Sequence, residues 1–251
     1  VLSLKFKSID KCPLCGSRER QVYRSFGVER KRLFYWFCVC GFVYLAMEPT
    51  DLRALYDWYT ETVAPADGGD ELIRKHEEFR AKRVAEMIQL DGVESVIDVG
   101  CARGLLLEEF RKRGIRTYGV DIRDIIINPE QRVYSNIANV PEKVDLITCI
   151  HTLEHMHHPI DELIAMRKML NDPGKIVVEA PSLGDPCDMR IFHPSLFTKW
   201  TLGRAISLAG MQVNDVIQLM AKRFEGSEAE DLILIAGGTY ESRTMATPVS
   251  D

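Results

Sequence analysis

The 251-residue chain has no apolar run long enough to span a bilayer. Its first residues, Val1 to Lys7, contain no apolar stretch of signal-peptide length. A soluble, cytoplasmic protein without membrane attachment is expected. Internal repeats and low-complexity segments are also missing, so one large domain with an appendage is the expected organisation. Hydrophobic residues make up 46% of the chain, enough for a sizeable core. The net charge of −5 is uneven. Residues 1–47 carry nine Lys/Arg against three acids, a balance of +6 that leaves −11 on the rest. The acidic remainder argues against the main domain lying along a nucleic-acid backbone. The basic N-terminal piece leaves a phosphate-bearing partner open, although a solvated surface accounts for it as well.

One strand–turn–helix pattern stands out. The apolar stretch Val96–Val99 runs into Gly100, Cys101, Ala102, Arg103 and Gly104, and a helix is expected from Leu105 to Arg113. Gly100 and Gly104 let backbone approach a ligand where a side chain would block it. The helix start offers unpaired N–H groups. Asp121 ends a second short strand about 20 residues beyond the turn, where a carboxylate can take ribose hydroxyls. The full dinucleotide fingerprint G-x-G-x-x-G is absent: Leu105 falls where its last glycine would stand. Asp98, two residues before Gly100, puts an acid into the turn. That suits a cationic amino-acid head better than two phosphates.

The segment Asp98-x-Gly100-x-Ala102-x-Gly104 resembles motif I of class I S-adenosylmethionine (SAM) methyltransferases, with Ala102 where glycine is commoner. Asp121 is similar to the acid that ends their second strand. The resemblance covers about residues 71–238. It implies an α/β fold: a Rossmann-like seven-stranded sheet with helices on both faces and a terminal antiparallel hairpin. It places Asp98, Gly100, Cys101, Ala102, Gly104, Asp121, Ile122 and Ile150 around the cofactor, with Asn136 near the adenine. Strands are expected near residues 96–99, 117–120, 132–134, 144–150, 175–179, 213–219 and 231–236. Helices are expected near 70–90, 105–113, 160–170 and 195–209. Gly226 to Glu230 reads as a turn between the last two strands.

Four of the seven cysteines fall in two tight pairs, Cys12/Cys15 and Cys38/Cys40. An aromatic run, Leu33 to Phe37, and the segment from Val22 read as strands of a hairpin between them. Four thiolates on two turns make a closed, structural Zn2+ site. A piece this small needs such a staple. The single residue between Cys38 and Cys40 departs from the usual two. A disulfide is the alternative, disfavoured in a cytosolic protein; the three-cysteine spacing of radical SAM enzymes is absent. Cys101, Cys149 and Cys187 read as small buried thiols. Residues 1–47 are thus expected to form a zinc ribbon and residues 48–70 a connector with a short helix (Leu52 to Tyr59). Residues 71–238 form the main domain, and 239–251 a loose tail. In the connector helix, Tyr56 and Tyr59 either close over the cofactor or simply pack.

The fourth strand empties into His151, Thr152, Leu153, Glu154, His155, Met156, His157, His158 and Pro159, which hold four of the six histidines. Ligands bind beyond the carboxyl ends of such strands. Leu153, Glu154, His155 and Pro159 resemble the L-E-H-x-x-x-P signature of a small-molecule methyltransferase branch. That branch includes ubiquinone-pathway and bacterial sugar methyltransferases, some with a zinc ribbon ahead of the core. The resemblance implies a small-molecule methyl acceptor, such as a sugar nucleotide or glycan precursor. Methyl transfer needs a base near neutral pH to take the acceptor's proton. His155 is the first candidate and His151 the second. Glu154 orients an imidazole or holds an acceptor hydroxyl. His193, in the stretch from Ile191 to Thr198, is the third candidate. The metal-protease order H-E-x-x-H is not met, and capping or packing is the plain alternative for each of these residues. Two rival readings stay open: an RNA or protein methyltransferase gripping its target through the basic ribbon, and a binding protein that keeps the fold without the chemistry. The sequence does not reveal the oligomeric state.

Overall fold

The structure, a computed structural model, describes residues 5–28, 31–51, 53–55, 70–122, 132–183, 191–222 and 228–237. The N-terminal segment builds β1 (Phe6–Ser8), β2 (Arg20–Val28), β3 (Lys31–Cys38), β4 (Val43–Leu45) and β5 (Met47–Pro49). Leu33 and Tyr35 on alternate positions of β3 are fully buried, while Phe34 and Trp36 on the other face are partly covered. This is the period of two that marks a half-buried strand. β1 pairs antiparallel with β5.

The main domain begins with α1 (Asp70–Met87), β6 (Ser95–Val99), α2 (Leu105–Arg111), β7 (Arg116–Val120), β8 (Val133–Tyr134) and β9 (Val144–Ile150). It continues through α3 (Pro159–Lys168), β10 (Leu170–Pro181), β11 (Ser195–Leu196), α4 (Lys199–Leu208), β12 (Gln212–Lys222) and β13 (Glu228–Gly237). Seven strands form one sheet in the order β12-β13-β10-β9-β6-β7-β8. β8, β7, β6, β9 and β10 are parallel, and β13 and β12 add an antiparallel edge. Every residue of β6 is buried, as a strand covered on both faces must be. On one face α1 and α2 pack Ala81, Val84, Ile88, Leu106 and Phe110 against Val96, Leu146, Val177 and Ile233. On the other, α3 and α4 supply Leu163, Met166, Leu202 and Ile206.

The expected strands are all present, with ends shifted by a few residues. The expected helix from Ser195 is corrected: Ser195–Leu196 is β11, and the helix begins only at Lys199. The reason is a distant partner. β11 pairs with β4, and Leu45 N–H donates to Pro194 O at 2.8 Å. Thr198 then starts the helix with a capping box, accepting from the N–H of Thr201 while Thr201 Oγ1 accepts from the N–H of Thr198 at 2.8 Å.

The N-terminal module is therefore joined to the main domain. Its sheet, β11-β4-β3-β2, takes its edge strand from the segment after His193. Ile9, Leu14, Phe42 and Tyr44 share a core with α3, α4 and the main sheet. Of the expected connector helix, residues 53–55 are helical. Of the expected turn from Gly226 to Glu230, residues 228–230 are already strand, extended by pairing with β12; residues 226–227, Tyr56, Tyr59, Cys187 and the tail lie outside the described residues.

Candidate active site

The turn after β6 is built from left-handed backbone: Gly100, Ala102 and Gly104 have φ of 75°, 45° and 72°. A Cβ on Gly100 would stand 2.1 Å from Thr152 Oγ1, so glycine is required there. The Ala102 N–H donates to Asp121 Oδ2 at 2.9 Å, which ties the end of β7 to the turn. Beside this turn lies a cavity of about 500 Å³. Val99, Gly100, Asp121, Ile122, Asn136 and Ile137 form one wall, and Thr152, His155, Met156 and Glu162 the other. A smaller recess of about 80 Å³ adjoins the turn, lined by Asp98, Cys101, Ala102 and Ile150 with Glu77, Arg80 and Arg103. Gly104 acts as the helix cap and lines neither. Asn136 lines the large cavity while its side chain accepts from the Ala138 N–H at 2.9 Å.

Asp98 is 4% exposed, and Thr148 Oγ1 donates to it at 2.7 Å. Burial raises its pKa from 3.8 to about 7; the Thr148 bond opposes this and the charge of Asp121 adds to it. An acid held at the edge of ionisation beside a left-handed turn fits a ligand that brings a positive charge.

The histidine segment divides into two environments. His151 follows β9 with φ 49°. Its Nε2 faces Glu179 Oε1 at 3.1 Å and Asp231 Oδ2 at 3.4 Å, and its Nδ1 faces Glu154 Oε1 at 3.4 Å. All three carboxylates are at most 2% exposed. Arg83 from α1 also pairs with Glu179. Burial and the charge of Arg80 oppose protonation of His151, but the bonds to Asp231, Glu154 and Glu179 outweigh them and raise its pKa to about 10. For Glu154, burial is likewise outweighed by His151 and by the charges of His155 and His193, leaving it at about 2.

His155 is placed differently. Its Nδ1 lies 2.6 Å from Phe192 O. A carbonyl only accepts, so Nδ1 carries a proton, and Nε2 is the nitrogen free to exchange one. His155 lines the large cavity, and its ring meets that of His193 edge-on at 4.8 Å. Ligand atoms of Glu154, His155 and His193 lie within 4.8 Å of one another. A metal would draw such atoms to about 3 Å apart, and Glu154 Oε1 already faces His151. The cluster therefore reads as an acid–base pair. His157 is half-buried, and that burial lowers its pKa to about 4, while His158 Nε2 bonds Glu48 at 2.9 Å. Both serve the contact with the N-terminal module.

That module also shapes the far wall. Tyr35 Oη donates to His193 O at 2.7 Å, and Ser195 Oγ donates to Met156 O at 2.6 Å. Its four cysteines converge as expected: Cys12 and Cys40 sulfurs are 3.7 Å apart, Cys15 and Cys38 sulfurs 3.5 Å. Tetrahedral zinc–thiolate geometry sets neighbouring sulfurs about 3.8 Å apart, and a disulfide needs about 2 Å. The donor set fits a divalent ion. Cys101 and Cys149 are buried, as expected.

Asp231, Thr148, Thr152 and Arg83 were not legible as site residues. Asp231 reaches the site through the pairing of β13 with β10, where it lies opposite Pro181. The one local cue is the acid that opens an otherwise apolar strand.

A family model described as a methyltransferase domain matches residues 70–219. The ubiquinone biosynthesis O-methyltransferase of Pseudomonas fluorescens (strain Pf0-1) is 29% identical over 113 residues, 39% of this chain and 48% of that protein. The chain thus spans about half the length of the curated relatives it matches. The magnesium protoporphyrin IX methyltransferase of Synechocystis, solved with bound SAH, superposes with a TM-score of 0.55 at 13% identity, covering 75% of this chain and 100% of that one. A Haloferax volcanii complex of the Trm112 activator with its putative methyltransferase gives 0.57 at 16% identity, over 70% and 96%. At these identities the structures show the fold. With a family match over more than half its length, the chain belongs to the methyltransferase-domain family, and its sheet order and glycine turn agree with that fold.

Proposed function

We propose that this protein transfers the methyl group of SAM to an oxygen of a small hydroxylated acceptor, with His155 as the general base. The observation that carries this is the tautomer of His155. Phe192 O holds a proton on Nδ1, which leaves Nε2 of this cavity-lining ring as the nitrogen that would accept. Asp98, Gly100, Cys101, Ala102 and Ile150 would hold the amino-acid end of SAM. Asp121 would take the ribose, and Ile122 and Asn136 would flank the adenine. Bound SAM supplies an already activated methyl group. The chain's own task is to align the acceptor oxygen with it and receive the proton. Glu154 keeps a negative charge beside His155 and stabilises the imidazolium that forms. His151, at a pKa of about 10, is already protonated at neutral pH and cannot be the base. His193 buttresses the His155 ring. We assign Zn2+ to Cys12, Cys15, Cys38 and Cys40 as a structural ion. The name of the curated relatives supports oxygen as the methylated atom; nucleotide-linked sugars and dihydroxyaryl compounds are the acceptors to test first.

Calorimetric titration with SAM should show one site per chain. Incubation with SAM and either acceptor class should give a product heavier by one methyl group. Absence of SAM binding would sink the proposal. SAM binding without product on any hydroxylated acceptor, but with methylated RNA or protein, would replace its acceptor half.

A further inference from the structure

We infer that His151 is a positioning residue: a doubly protonated imidazole that clamps three buried carboxylates from separate chain segments and thereby fixes Glu154 beside His155. The inference rests on the reading of His155 as the base.

The geometry makes the case. Both ring nitrogens of His151 face carboxylate oxygens, Nδ1 toward Glu154 and Nε2 toward Glu179 and Asp231. Ionised carboxylates only accept hydrogen bonds, so each nitrogen must carry a proton. A neutral ring would turn a lone pair against a buried anion. The three acids reach this point from the segment after β9, from β10 and from β13, which are adjacent strands or their extensions. The backbone is committed as well: His151 sits in left-handed conformation, and its N–H donates to Glu179 O at 2.8 Å. Such strain in a residue other than glycine persists only where surrounding contacts over-determine it.

The clamp acts outward through Glu154. One oxygen, Oε1, is held by His151 and stands 4.0 Å from His155 Nε2. The other, Oε2, is buried and has no hydrogen-bond partner among the described residues. A carboxylate this buried would swing or take up a proton if its cation were lost. The charged groups around His151 are Arg80 and Arg83 from α1, Glu179 from β10, Asp231 from β13, and Glu154. His155 and His193 lie beyond Glu154. Arg83 pairs with Glu179 and so does not stand in for the cation at Glu154.

The test uses nitrogen-15 NMR of the imidazole rings in the full-length protein, with turnover measured beside it. In the wild type both His151 nitrogens should be protonated from pH 6 to 9, while His155 keeps its proton on Nδ1. If His151 instead titrates as an ordinary imidazole in that range, the clamp does not exist. A His151→Gln variant removes the charge. It should leave SAM affinity within about twofold, move the His155 titration midpoint downward as Glu154 swings away or takes up a proton, and lower kcat roughly 10- to 100-fold through mispositioning. His151→Lys, which restores a cation, should recover part of kcat and return the His155 midpoint toward its original value. An unchanged His155 midpoint in a folded His151→Gln protein would overturn the positioning role. Should His151→Gln fail to fold, Asp231→Asn removes one acid and leaves the clamp on Glu154. It should fold and keep the His155 midpoint, and a His155 midpoint shifted by more than half a unit there would overturn the proposed route through Glu154. The ring titrations need no acceptor. If they behave as stated while no hydroxylated substrate is turned over, the clamp stands and the acceptor assignment fails.

Discussion

The two walls of the cavity are made in opposite ways. The donor wall comes from local chain: a strand, a turn of left-handed residues and a helix, with Asp121 bonded back to the turn. Its essential features are backbone conformation and the lack of a side chain at Gly100. The proposed acceptor wall, the loop after β9, is held by distant segments: Phe192 and His193, the edge of the N-terminal module, and Asp231 behind them. Its features are side chains held by other side chains. A local motif can fix where a cofactor sits, whereas long-range packing fixes what the cofactor meets.

The comparison breaks most sharply at His155. Replacing it with Ala should lower kcat by about 10²- to 10⁴-fold, the usual contribution of a general base. SAM affinity should stay within about twofold, because the donor wall owes nothing to that imidazole. Calorimetry and steady-state kinetics on one preparation would show the split. Turnover close to wild type would remove His155 as the base and reopen His193.

Gly100→Ala attacks the other wall. The new Cβ would overlap Thr152 Oγ1 at 2.1 Å and sit on backbone at φ 75°. A non-glycine residue there costs about 1–2 kcal/mol before any overlap is counted, so SAM affinity should fall roughly 10- to 100-fold. Thr152 belongs to the histidine loop, so this variant also disturbs the acceptor wall. Combining it with Thr152→Ser, which removes the Cγ2 contact at 2.4 Å, should restore part of the binding.

The asymmetry also explains what was legible. Asp98, Gly100 and Asp121 are legible as neighbours because the strand–turn–helix spacing alone brings them together. A parallel sheet covered on both faces follows from the alternation of strands and helices. Ser195 was misread as helix because its neighbours in sequence favour one; what decides is β4, contributed by the N-terminal module. His151 and His155 share residue type and loop, three residues before and one residue after Glu154. Only Asp231 and Glu179 on one side, and Phe192 O on the other, set one charged and the other poised. Such environments depend on sheet order and cannot be read from spacing.

Metal removal tests how far the acceptor wall depends on the module. The proposed Zn2+ holds Cys38 at the end of β3, and that strand carries Tyr35, whose hydroxyl bonds His193 O. Stripping the ion with a strong chelator, or substituting Cys38→Ser, should raise the acceptor KM roughly tenfold through mispositioning and leave SAM affinity nearly unchanged. Equal losses on both sides would mean that the module supports the whole domain.

The smallest expected effect is confined to the donor wall and has a definite sign. Burial raises Asp98 to about 7, so near neutrality the unliganded protein holds it partly protonated. An acid raised in the folded state contributes stability below its unfolded pKa, near 4, which is lost as pH rises through about 7. A cationic ligand favours the carboxylate and reverses that loss. SAM affinity should therefore be flat above pH 7 and fall by up to about tenfold per unit below it, with nearly one proton released per SAM bound on the acid side. Calorimetry in buffers of different ionisation enthalpy reads this directly. Asp98→Asn should bind more weakly and lose the slope. A slope that survives in Asp98→Asn would assign the proton to another group and detach Asp98 from the cationic end of the cofactor.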